Sequence, residues 1–394
     1  MLTPYLPYPP SSGGQIRSYN LIKQLSKKHE ITLYSLIKAD GERQYVSELQ
    51  KYCKKVKIFK RPQKPWTPTN IIRTAISLYP FLVIRNYSPE EKADITKTLA
   101  NENFDLIHAE TFYVSPHIPK TNIPMVLVDQ TIEYQVYQHY VETFRWFFLK
   151  PILWIDVLKI KYWEKYFWKK AKKVIAVSES DAKKMRQLVP GLSVSVIPNG
   201  VGEDLMEDLP LHYSRTILFI GNYAWLQNIE AARILAKQVF PIIKNKVSDA
   251  KLIIVGQYTD KIADLKSPDI KLINLGLNDI DGVKKAYQTS GILVAPLYGP
   301  GGTRLKILGA MAAKLPVVTT NVGIEGTEAL NGKHVLYGEN PEILANLAVE
   351  LLLDKEKYYK IAINARKLVE EKYSYSSIAD KMDNIYREVR KDEK

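Results

Sequence analysis

The stretch Gly291–Thr320 constrains the fold of this 394-residue chain more than any other. It reads GILVAPLYGPGGTRLKILGAMAAKLPVVTT: an apolar run of strand length, a glycine loop, a helix from about Arg304 to Ala313, and a second apolar run that begins at Pro316. Thr303 is of a residue type that caps helix N-termini. A buried strand that leads through a loop and a helix into another buried strand is the unit from which parallel sheets are built.

The glycine loop within this stretch predicts a phosphate site. Gly299, Gly301 and Gly302 let the backbone approach a ligand closely. Free N–H groups at the start of the following helix attract anions. Arg304 and Lys306 add two cations there. We therefore expect a phosphorylated ligand at the carboxyl edge of a parallel sheet.

Apolar strands alternate with amphipathic helices along the whole chain, which is typical of α/β proteins with parallel sheets. Leu2 and Thr3 read as the end of a first strand. Further strands are predicted at Ile31–Leu36, Val56–Phe59, Leu106–Ala109, Met125–Asp129, Val174–Val177, Thr216–Ile220, Lys251–Val255, Lys271–Leu275, Ile292–Ala295 and Val317–Thr319. Helices are predicted at Gln15–Lys27, Pro89–Ala100, Pro151–Lys172, Asn228–Lys244, Ile280–Thr289 and Glu342–Leu353.

The length of the chain and one break in its pattern predict two doubly wound domains. A chain of 394 residues exceeds one ordinary core. Apolar periodicity lapses near Asn199–Ser214, where turn formers and acids accumulate. We therefore predict an N-terminal Rossmann-like domain over 1–205, a second over 206–372, and a C-terminal helical segment over 373–394. A ligand between two such domains would meet the carboxyl ends of both sheets.

The composition of the chain limits which binding partners are expected. The net charge of +14 favours anions such as nucleotides, acidic membrane surfaces or nucleic acid. No aromatic and basic base-reading motif accompanies that charge, so we expect no nucleic-acid partner. The single cysteine, Cys53, excludes an internal disulfide and a multi-cysteine metal site, and fits a cytoplasmic location. No apolar run approaches the roughly 20 residues that span a bilayer.

The helix predicted at Pro151–Lys172 has two contrasting sides. Leu153, Val157, Ile160, Phe167 and Ala171 share one side, with Glu164 in their midst, so we expect a structural partner for that carboxylate. The opposite side carries Lys161, Lys165, Lys169 and Lys172 beside Trp154, Leu158 and Tyr162. That mixture suits an anionic membrane interface. A solvated basic face is the alternative, and the sequence leaves both open.

Several segments, taken in their order and spacing, resemble a known family. They are PYPPSSGGQIRSYNLIKQL near the start, DLIHAE at 105–110, VIAVSESD at 174–181, VIPNGV at 196–201, ILFIGNY at 217–223, LIIVG at 252–256 and GGTRLKILGAMAAKLPVVTTNVGIEGTEA at 301–329. Together they resemble the retaining glycosyltransferases of family 4, which have the GT-B fold. The nearest branch is the one linked to polysaccharide and exosortase-type systems, in which GTRLKIL is typical.

The resemblance implies a division of labour. Two Rossmann-like domains would face each other across a cleft, with the nucleotide-sugar donor on 206–372 and a glycan or lipid-linked acceptor on 1–205. The segment 373–394 would cross back onto the N-terminal domain. Attack on the face from which the leaving group departs would retain the anomeric configuration. Family members usually need no metal, so we expect neither a metal nor another cofactor.

The resemblance also implies site residues. The donor would be bound by Gly13, Gly14, Gly221, Asn222, Gly301, Gly302, Thr303, Arg304, Lys306 and Glu325. Catalysis would involve His108, Gln130, Arg304 and Lys306. His108 and Glu110 also fit ordinary strand-end positions, and Glu325 also fits a turn.

Three departures from the family pattern leave a second function open. Gly301 and Gly309 stand where the family has a Glu-x7-Glu pair, and Gln130 stands where many relatives have histidine. The family's Arg-x4-Lys pair after the first C-terminal strand is absent, and we expect Arg304 and Lys306 to replace it. The first hypothesis is a cytoplasmic, membrane-peripheral glycosyltransferase. The alternative is a catalytically impaired nucleotide-sugar binder or scaffold in a glycan assembly system, and a gain in activity from Gly309→Glu would favour impaired catalysis over a scaffold.

Overall fold

The computed structural model describes residues 1–62, 64, 66–207, 211–276, 279–299 and 305–391. The chain forms two compact units. The first comprises Met1–Ile197 together with the chain from Ala379 onward, and the second comprises Pro198–Ile378. The division therefore precedes the boundary predicted at 205.

The first unit is built on a parallel sheet of seven strands, counted over the described residues, in the order β3-β2-β1-β4-β5-β6-β7. The strands are β1 (Leu2–Thr3), β2 (Thr32–Ile37), β3 (Lys55–Lys60), β4 (Ile107–Glu110), β5 (Met125–Asp129), β6 (Lys173–Ala176) and β7 (Val194–Val196). The short β1 lies mid-sheet, with Leu2 opposite both Tyr34 of β2 and Ala109 of β4. The strand predicted to end at Thr3 is confirmed.

Helices connect these strands. They are α1 (Gly13–Leu25), α2 (Val46–Leu49), α3 (Pro68–Ile76), α4 (Phe81–Ile84), α5 (Pro89–Asn101), α6 (Glu133–Thr143), α7 (Lys150–Lys170) and α8 (Glu179–Leu188). Local sequence sets several of their starts. Ser88 Oγ caps α5 by accepting from Glu91 N at 3.4 Å, and Pro89 occupies the first turn, where its missing N–H costs nothing.

The second unit is built on a parallel sheet of six described strands in the order β10-β9-β8-β11-β12-β13. The strands are β8 (Thr216–Asn222), β9 (Lys251–Gln257), β10 (Ile270–Asn274), β11 (Ile292–Ala295), β12 (Val317–Thr319) and β13 (Leu336–Tyr337). The helices are α9 (Leu226–Ile234), α10 (Phe240–Lys246), α11 (Ile280–Thr289), α12 (Leu305–Ala312), α13 (Pro341–Leu353) and α14 (Lys355–Lys372). A π-helical turn, Leu235–Val239, joins α9 to α10.

The segment Gly291–Thr320 folds as predicted in the part of it that the structure describes. β11 is wholly buried, α12 follows the loop, and β12 pairs in parallel with β11 through Val294 and Val318. Ile307, Leu308 and Met311 of α12 are fully buried in the core of the second unit. Burial of this apolar helix anchors α12 in the core of the second unit.

The last helix, α15 (Tyr375–Lys391), belongs to the second unit up to Ile378 and to the first from Ala379 onward. Within the first unit, Asp383 of α15 lies 2.9 Å from His29 Nε2 and 3.3 Å from Lys28 Nζ. The aspartate is 3% exposed, so these partners offset the cost of burying its charge.

Candidate active site

The first unit holds a buried polar cluster at the carboxyl ends of β4 and β5. His108 and Glu110 lie on β4, and Gln130 follows β5 directly. The Glu110 carboxylate engages both neighbours: Oε1 lies 3.0 Å from His108 Nε2, and Oε2 accepts from Gln130 Nε2 at 2.8 Å. The structure therefore brings together the two first-unit residues predicted to be catalytic, with Glu110 between them.

This cluster extends to two tyrosines. His108 Nδ1 is hydrogen-bonded to the hydroxyl of Tyr386 on α15, and the Tyr5 hydroxyl lies near Gln130. Burial raises the pKa of both tyrosines, so both hydroxyls stay protonated and neutral. The Gln130 side chain is held by its hydrogen bond to Glu110. It is an oriented dipole, and an amide has no proton to relay at neutral pH.

The pKa values of two neighbouring carboxylates in this region are shifted in opposite directions. Burial opposes ionisation of Glu110, but the interactions with His108, Arg17 and Gln130 outweigh it and lower the pKa of Glu110. Burial raises the pKa of Asp129 to about 7, although Trp168 Nε1 and Phe112 N donate to its carboxylate. Glu110 is therefore the ionised group of the cluster at neutral pH.

Gly13 and Gly14 belong to α1, which begins two residues earlier than the predicted helix at Gln15. Ser12 Oγ caps the helix by accepting from Gln15 N at 3.4 Å. A side chain on Gly14 would come within 1.9 Å of Tyr5 Oη, so this position requires glycine for the approach of that ring. The contact of both glycines with donor phosphates stays a prediction.

The second unit places Lys306, the second residue of α12, at the carboxyl end of β8. Its Nζ donates to Asn228 Oδ1 at 2.6 Å, and a side chain on Gly221 would lie 3.2 Å from that Nζ. Asn228 Nδ2 in turn donates to Asn222 O at 2.7 Å. Three of the predicted donor-binding residues, Gly221, Asn222 and Lys306, therefore lie around one side chain, Asn228.

Lys306 is half-buried, and its ammonium lies 4.7 Å from the centre of the Phe219 ring. A cation over an aromatic ring gains electrostatic attraction, and more of it as water is removed. The side chain is thus directed to the end of β8 and held there. A compact, fixed positive charge of this kind is suited to a phosphate group.

Four predicted donor-binding residues, Gly301, Gly302, Thr303 and Arg304, lie outside the described residues. Their roles stay predictions. Glu325 is described: it follows a short 3₁₀ turn after β12 and is exposed. It forms no hydrogen bond or ion pair through its side chain with any residue that the structure describes, Lys306 included.

Gly309 does not leave an empty space for a glutamate. A side chain there would lie 2.9 Å from Tyr287 Oη and 3.1 Å from Tyr287 Cζ, and the Tyr287 hydroxyl donates to Lys306 O at 3.0 Å. The tyrosine, which is 4% exposed, occupies the place beside this turn of α12. A glutamate introduced by Gly309→Glu would therefore first have to displace Tyr287.

Sequence reasoning missed Asn228, Tyr287 and Tyr386. Asn228 lies in α9, which begins at Leu226, two residues before the predicted start. The only sequence signal for its role was a polar residue soon after the end of a strand. Tyr287 and Tyr386 reach their partners from elements distant in the chain. No local spacing indicates such contacts.

The partner expected for Glu164 is present. Its Oε1 accepts from Glu133 N at 2.7 Å and its Oε2 from Tyr134 N at 3.4 Å, which caps the N-terminus of α6. Ile132, at the cap position of α6, makes no side-chain cap. Glu164 is therefore structural. Of the predicted buried side of α7, Val157, Ile160 and Phe167 are buried, whereas Leu153 is half-buried and Ala171 follows the end of the helix.

The other side of α7 carries an exposed apolar surface, which we call the α3/α7 surface. Lys159 Nζ donates to Thr74 O and Ser77 O, and Trp163 Nε1 donates to Leu78 O, so α7 is joined to α3 and to the residues just after it. The exposed apolar residues of the surface are Ile72, Ile76, Leu78, Phe147, Phe148, Ile152, Ile155, Leu158 and Tyr162. Lys161, Lys165 and Lys169 lie along its basic margin, beside Leu158 and Tyr162.

Neither a metal cluster nor a spanning helix occurs in the part of the chain that the structure describes. No group of three or more histidine, cysteine, aspartate or glutamate side chains is arranged to hold a metal ion there. None of the described helices combines the length and the apolar character needed to cross a bilayer.

Two family models match the chain, and each covers most of one unit. The model described as "Glycosyltransferase Family 4" matches residues 11–205, and the model described as "Glycosyl transferases group 1" matches residues 214–354. The two matches together cover most of the 394 residues. The chain belongs to the group 1 and family 4 glycosyltransferases, and its two parallel-sheet units have the GT-B architecture.

Similarity extends over nearly the full length of several known proteins. An uncharacterized 44.6 kDa protein in the cps region of Klebsiella pneumoniae is 23% identical over 94% of this chain and 95% of its own. Anabaena HepE, solved in complex with UDP-glucose, superposes with a TM-score of 0.63 at 15% identity, covering 94% of this chain and 96% of its own. WaaG, described as a glycosyltransferase involved in lipopolysaccharide biosynthesis, gives a TM-score of 0.63 at 16% identity, covering 96% and 97%.

Proposed function

We propose that this protein transfers a sugar from a UDP- or GDP-sugar to a glycan or lipid-linked acceptor, with retention of the anomeric configuration. The observation that carries the proposal is the fixed cation Lys306 at the end of β8, held by Asn228 beside Gly221. Membership of the glycosyltransferases and the similarity to a protein that binds UDP-glucose support it.

The two units divide the substrates in this proposal. The second unit binds the donor through Gly221, Asn222 and Lys306, joined by Arg304 and by the amides of Gly301, Gly302 and Thr303. Glu325 and the glycines at the start of α1 are further donor contacts. The first unit binds the acceptor, and His108 and Gln130 act there.

In the proposed reaction, the protein stabilises the negative charge of the leaving group. Breaking a sugar–phosphate bond leaves negative charge on the nucleoside diphosphate, and a preorganised cation stabilises that charge as it develops. Lys306 is held before the donor arrives, so little reorganisation is needed at the moment of reaction. In retention, the acceptor hydroxyl attacks on the face from which the diphosphate departs, and that phosphate accepts the hydroxyl proton. Gln130 orients a sugar hydroxyl and does not relay a proton.

The cations remove the need for a metal in this proposal. We expect turnover to survive a chelator, because Lys306 and Arg304 neutralise the leaving diphosphate. No other cofactor and no nucleic acid takes part.

The test is turnover of nucleotide-sugars. Wild-type protein is incubated with UDP- and GDP-sugars, and release of nucleoside diphosphate and the anomeric signal of the product are followed by NMR. We expect hydrolysis or transfer of one donor above background, with retained configuration. A chain that binds UDP but neither hydrolyses nor transfers any donor would be the scaffold expected as the alternative. A product with inverted configuration would contradict the retaining mechanism.

We further propose that the protein works at the cytoplasmic face of a membrane, with the α3/α7 surface against anionic lipid. Leu158 and Tyr162 are each more than 60% exposed beside a row of lysines, a combination that favours an acidic bilayer interface.

Flotation with phosphatidylglycerol vesicles tests this membrane contact. We expect Leu158→Asp to reduce flotation several-fold, and Leu353→Asp, an equally exposed leucine of the second unit, to leave it unchanged. Equal flotation of both variants, or flotation that is insensitive to anionic lipid, would refute the membrane contact.

A further inference from the structure

A basic cluster at the carboxyl edge of the first sheet has no role in the functions discussed so far. Lys38 directly follows β2, and Arg61 directly follows β3. Ile37 and Lys60 are paired in the parallel register, and Arg61 N donates to Ile37 O at 2.9 Å, so the two cations stand side by side at the edge.

A third cation joins them from α4. The Arg61 guanidinium donates to Asn86 Oδ1, and Asn86 is the residue after Arg85. Burial of Lys38 and the nearby positive charges of Arg61 and Arg85 together lower the pKa of Lys38. Three positive charges therefore converge at one edge, although like charges repel.

The cluster lacks the carboxylates that would neutralise it. None of the three cations forms an ion pair with a carboxylate that the structure describes, and Nε of Arg61 and Nε of Arg85 are buried without a hydrogen-bond partner. Glu42 is the nearby acid, but its Oε1 accepts from the backbone N–H groups of Lys38 and Ala39 at 2.7 and 3.0 Å. Three neighbouring positive charges without a carboxylate partner favour an external anion.

The position of α4 connects this cluster to the α3/α7 surface. Phe81 N, at the first residue of α4, donates to Asp156 Oδ1 of α7 at 2.8 Å, and the exposed ring of Trp66 stacks on Phe81 at 4.3 Å. Arg85 is the residue that follows the last turn of the same helix. Because a helix rises about 1.5 Å per residue, Phe81 and Arg85 are separated by only about 6 Å along the axis.

We propose that Lys38, Arg61 and Arg85 bind the phosphate or diphosphate group of a lipid-linked acceptor whose apolar chain lies on the α3/α7 surface. This inference rests on the proposed transferase function and specifies the acceptor. A guanidinium group can donate two hydrogen bonds to two oxygens of one phosphate. Three neighbouring cations match the charge of a diphosphate ligand better than that of a ligand with a single carboxylate.

Binding of farnesyl diphosphate tests the proposal. Isothermal titration is carried out with UDP at a saturating concentration, so that the donor site is occupied. We expect Arg61→Gln and Arg85→Gln each to weaken farnesyl diphosphate binding at least tenfold. Arg186→Gln, which removes an exposed arginine paired with Glu179 on α8, is the matched control and should change it less than twofold. Inorganic pyrophosphate should bind at the same residues but more weakly, because it lacks the chain.

Further measurements keep the outcomes separable. The side chain of Lys38 makes no hydrogen bond with a described residue, so Lys38→Gln removes charge without disturbing the fold and should weaken binding if Arg61→Gln proves unstable. Equal farnesyl diphosphate affinity in all variants, or no binding while UDP still binds, would overturn the proposal. So would an effect of these variants on phosphatidylglycerol vesicle flotation alone, since that would assign the cluster to lipid headgroups. Failure of the protein to bind either UDP or GDP would instead count against the transferase function.

Discussion

The two units hold their candidate functional residues in different ways. In the first unit, Glu110 and His108 are almost wholly buried, and each polar group of the cluster is engaged by another: Glu110 by His108 and Gln130, His108 by Tyr386. In the second unit, Lys306 is half-buried, and Asn228 holds it beside a strand end. The buried cluster around Glu110 is held together by its own hydrogen bonds, whereas Lys306 presents a positive charge at the end of β8. We therefore expect changes at Glu110 and Tyr386 to act mainly on stability and changes at Lys306 mainly on donor chemistry.

The largest effect is expected from Lys306→Ala. Loss of a preorganised charge on the leaving diphosphate should lower donor turnover by about 100-fold with little change in thermal stability. The measurement is nucleoside diphosphate release at saturating donor. Lys367→Ala, an exposed lysine of α14, is the matched control and should keep full activity. Turnover in the Lys306 variant within threefold of wild type would contradict the expectation that Lys306 acts on donor chemistry.

Glu110→Gln should destabilise the first unit by about 1.5–3 kcal/mol, because a buried carboxylate that receives charged hydrogen bonds is lost. The pKa of Glu110 is lowered on folding, so the ionised form stabilises the folded state above the unfolded-state pKa. That contribution is lost as pH falls through the folded-state pKa. In urea titrations, the difference from wild type should be full at pH 7 and should shrink below about pH 4.

The exposed Glu102, paired with Lys55, provides the control for this experiment. Glu102→Gln should cost less than about 1 kcal/mol at any pH. A Glu110→Gln difference that stays constant from pH 7 to pH 3 would show that ionised Glu110 does not stabilise the fold.

Gly309→Ala should destabilise the second unit by about 1–3 kcal/mol, because the added carbon meets Tyr287 Oη at 2.9 Å. Gly276 is the matched glycine: no atom lies within 4 Å of a side chain built there. Gly276→Ala should be close to neutral. The midpoints of urea unfolding compare the two variants. A Gly309→Ala protein as stable as wild type would mean that Tyr287 moves freely and that the place beside α12 is open.

The smallest effect is expected from Tyr386→Phe, which removes the hydroxyl bonded to His108 Nδ1 and should cost about 1 kcal/mol. Tyr162→Phe, at a tyrosine that is 62% exposed, is the control. Melting temperatures suffice for the comparison. Equal values would show that α15 is not held through this bond.

The sequence predicted the regular elements well and their side-chain partners poorly. Met125–Asp129, Ile292–Ala295, Val317–Thr319 and the helix Ile280–Thr289 match their predicted bounds, because apolar runs between turn residues determine them. The short edge strands β7 and β13 were missed, since three or two residues carry no periodicity. The early start of α1 was missed because two glycines read as a loop, whereas Ser12 caps the helix in front of them.

The candidate sites show the same limit. His108, Glu110 and Gln130 lie at one edge of the sheet because parallel strands bring their carboxyl ends together, and their roles stay predictions. Nothing in the spacing indicated that Tyr287 would pack against Gly309, because that contact depends on the tertiary packing of α11 against α12. Departures from a family motif therefore need the structure before they are interpreted as losses.

Hydrogen exchange with and without UDP or GDP tests whether the end of β8, with Lys306, holds the diphosphate of a nucleotide-sugar. We expect slower exchange in the peptides that contain Phe219–Asn228 and Leu305–Gly309, and loss of this protection in Lys306→Ala. Unchanged exchange at both segments under saturation with UDP and with GDP, with protection appearing only elsewhere, would contradict it.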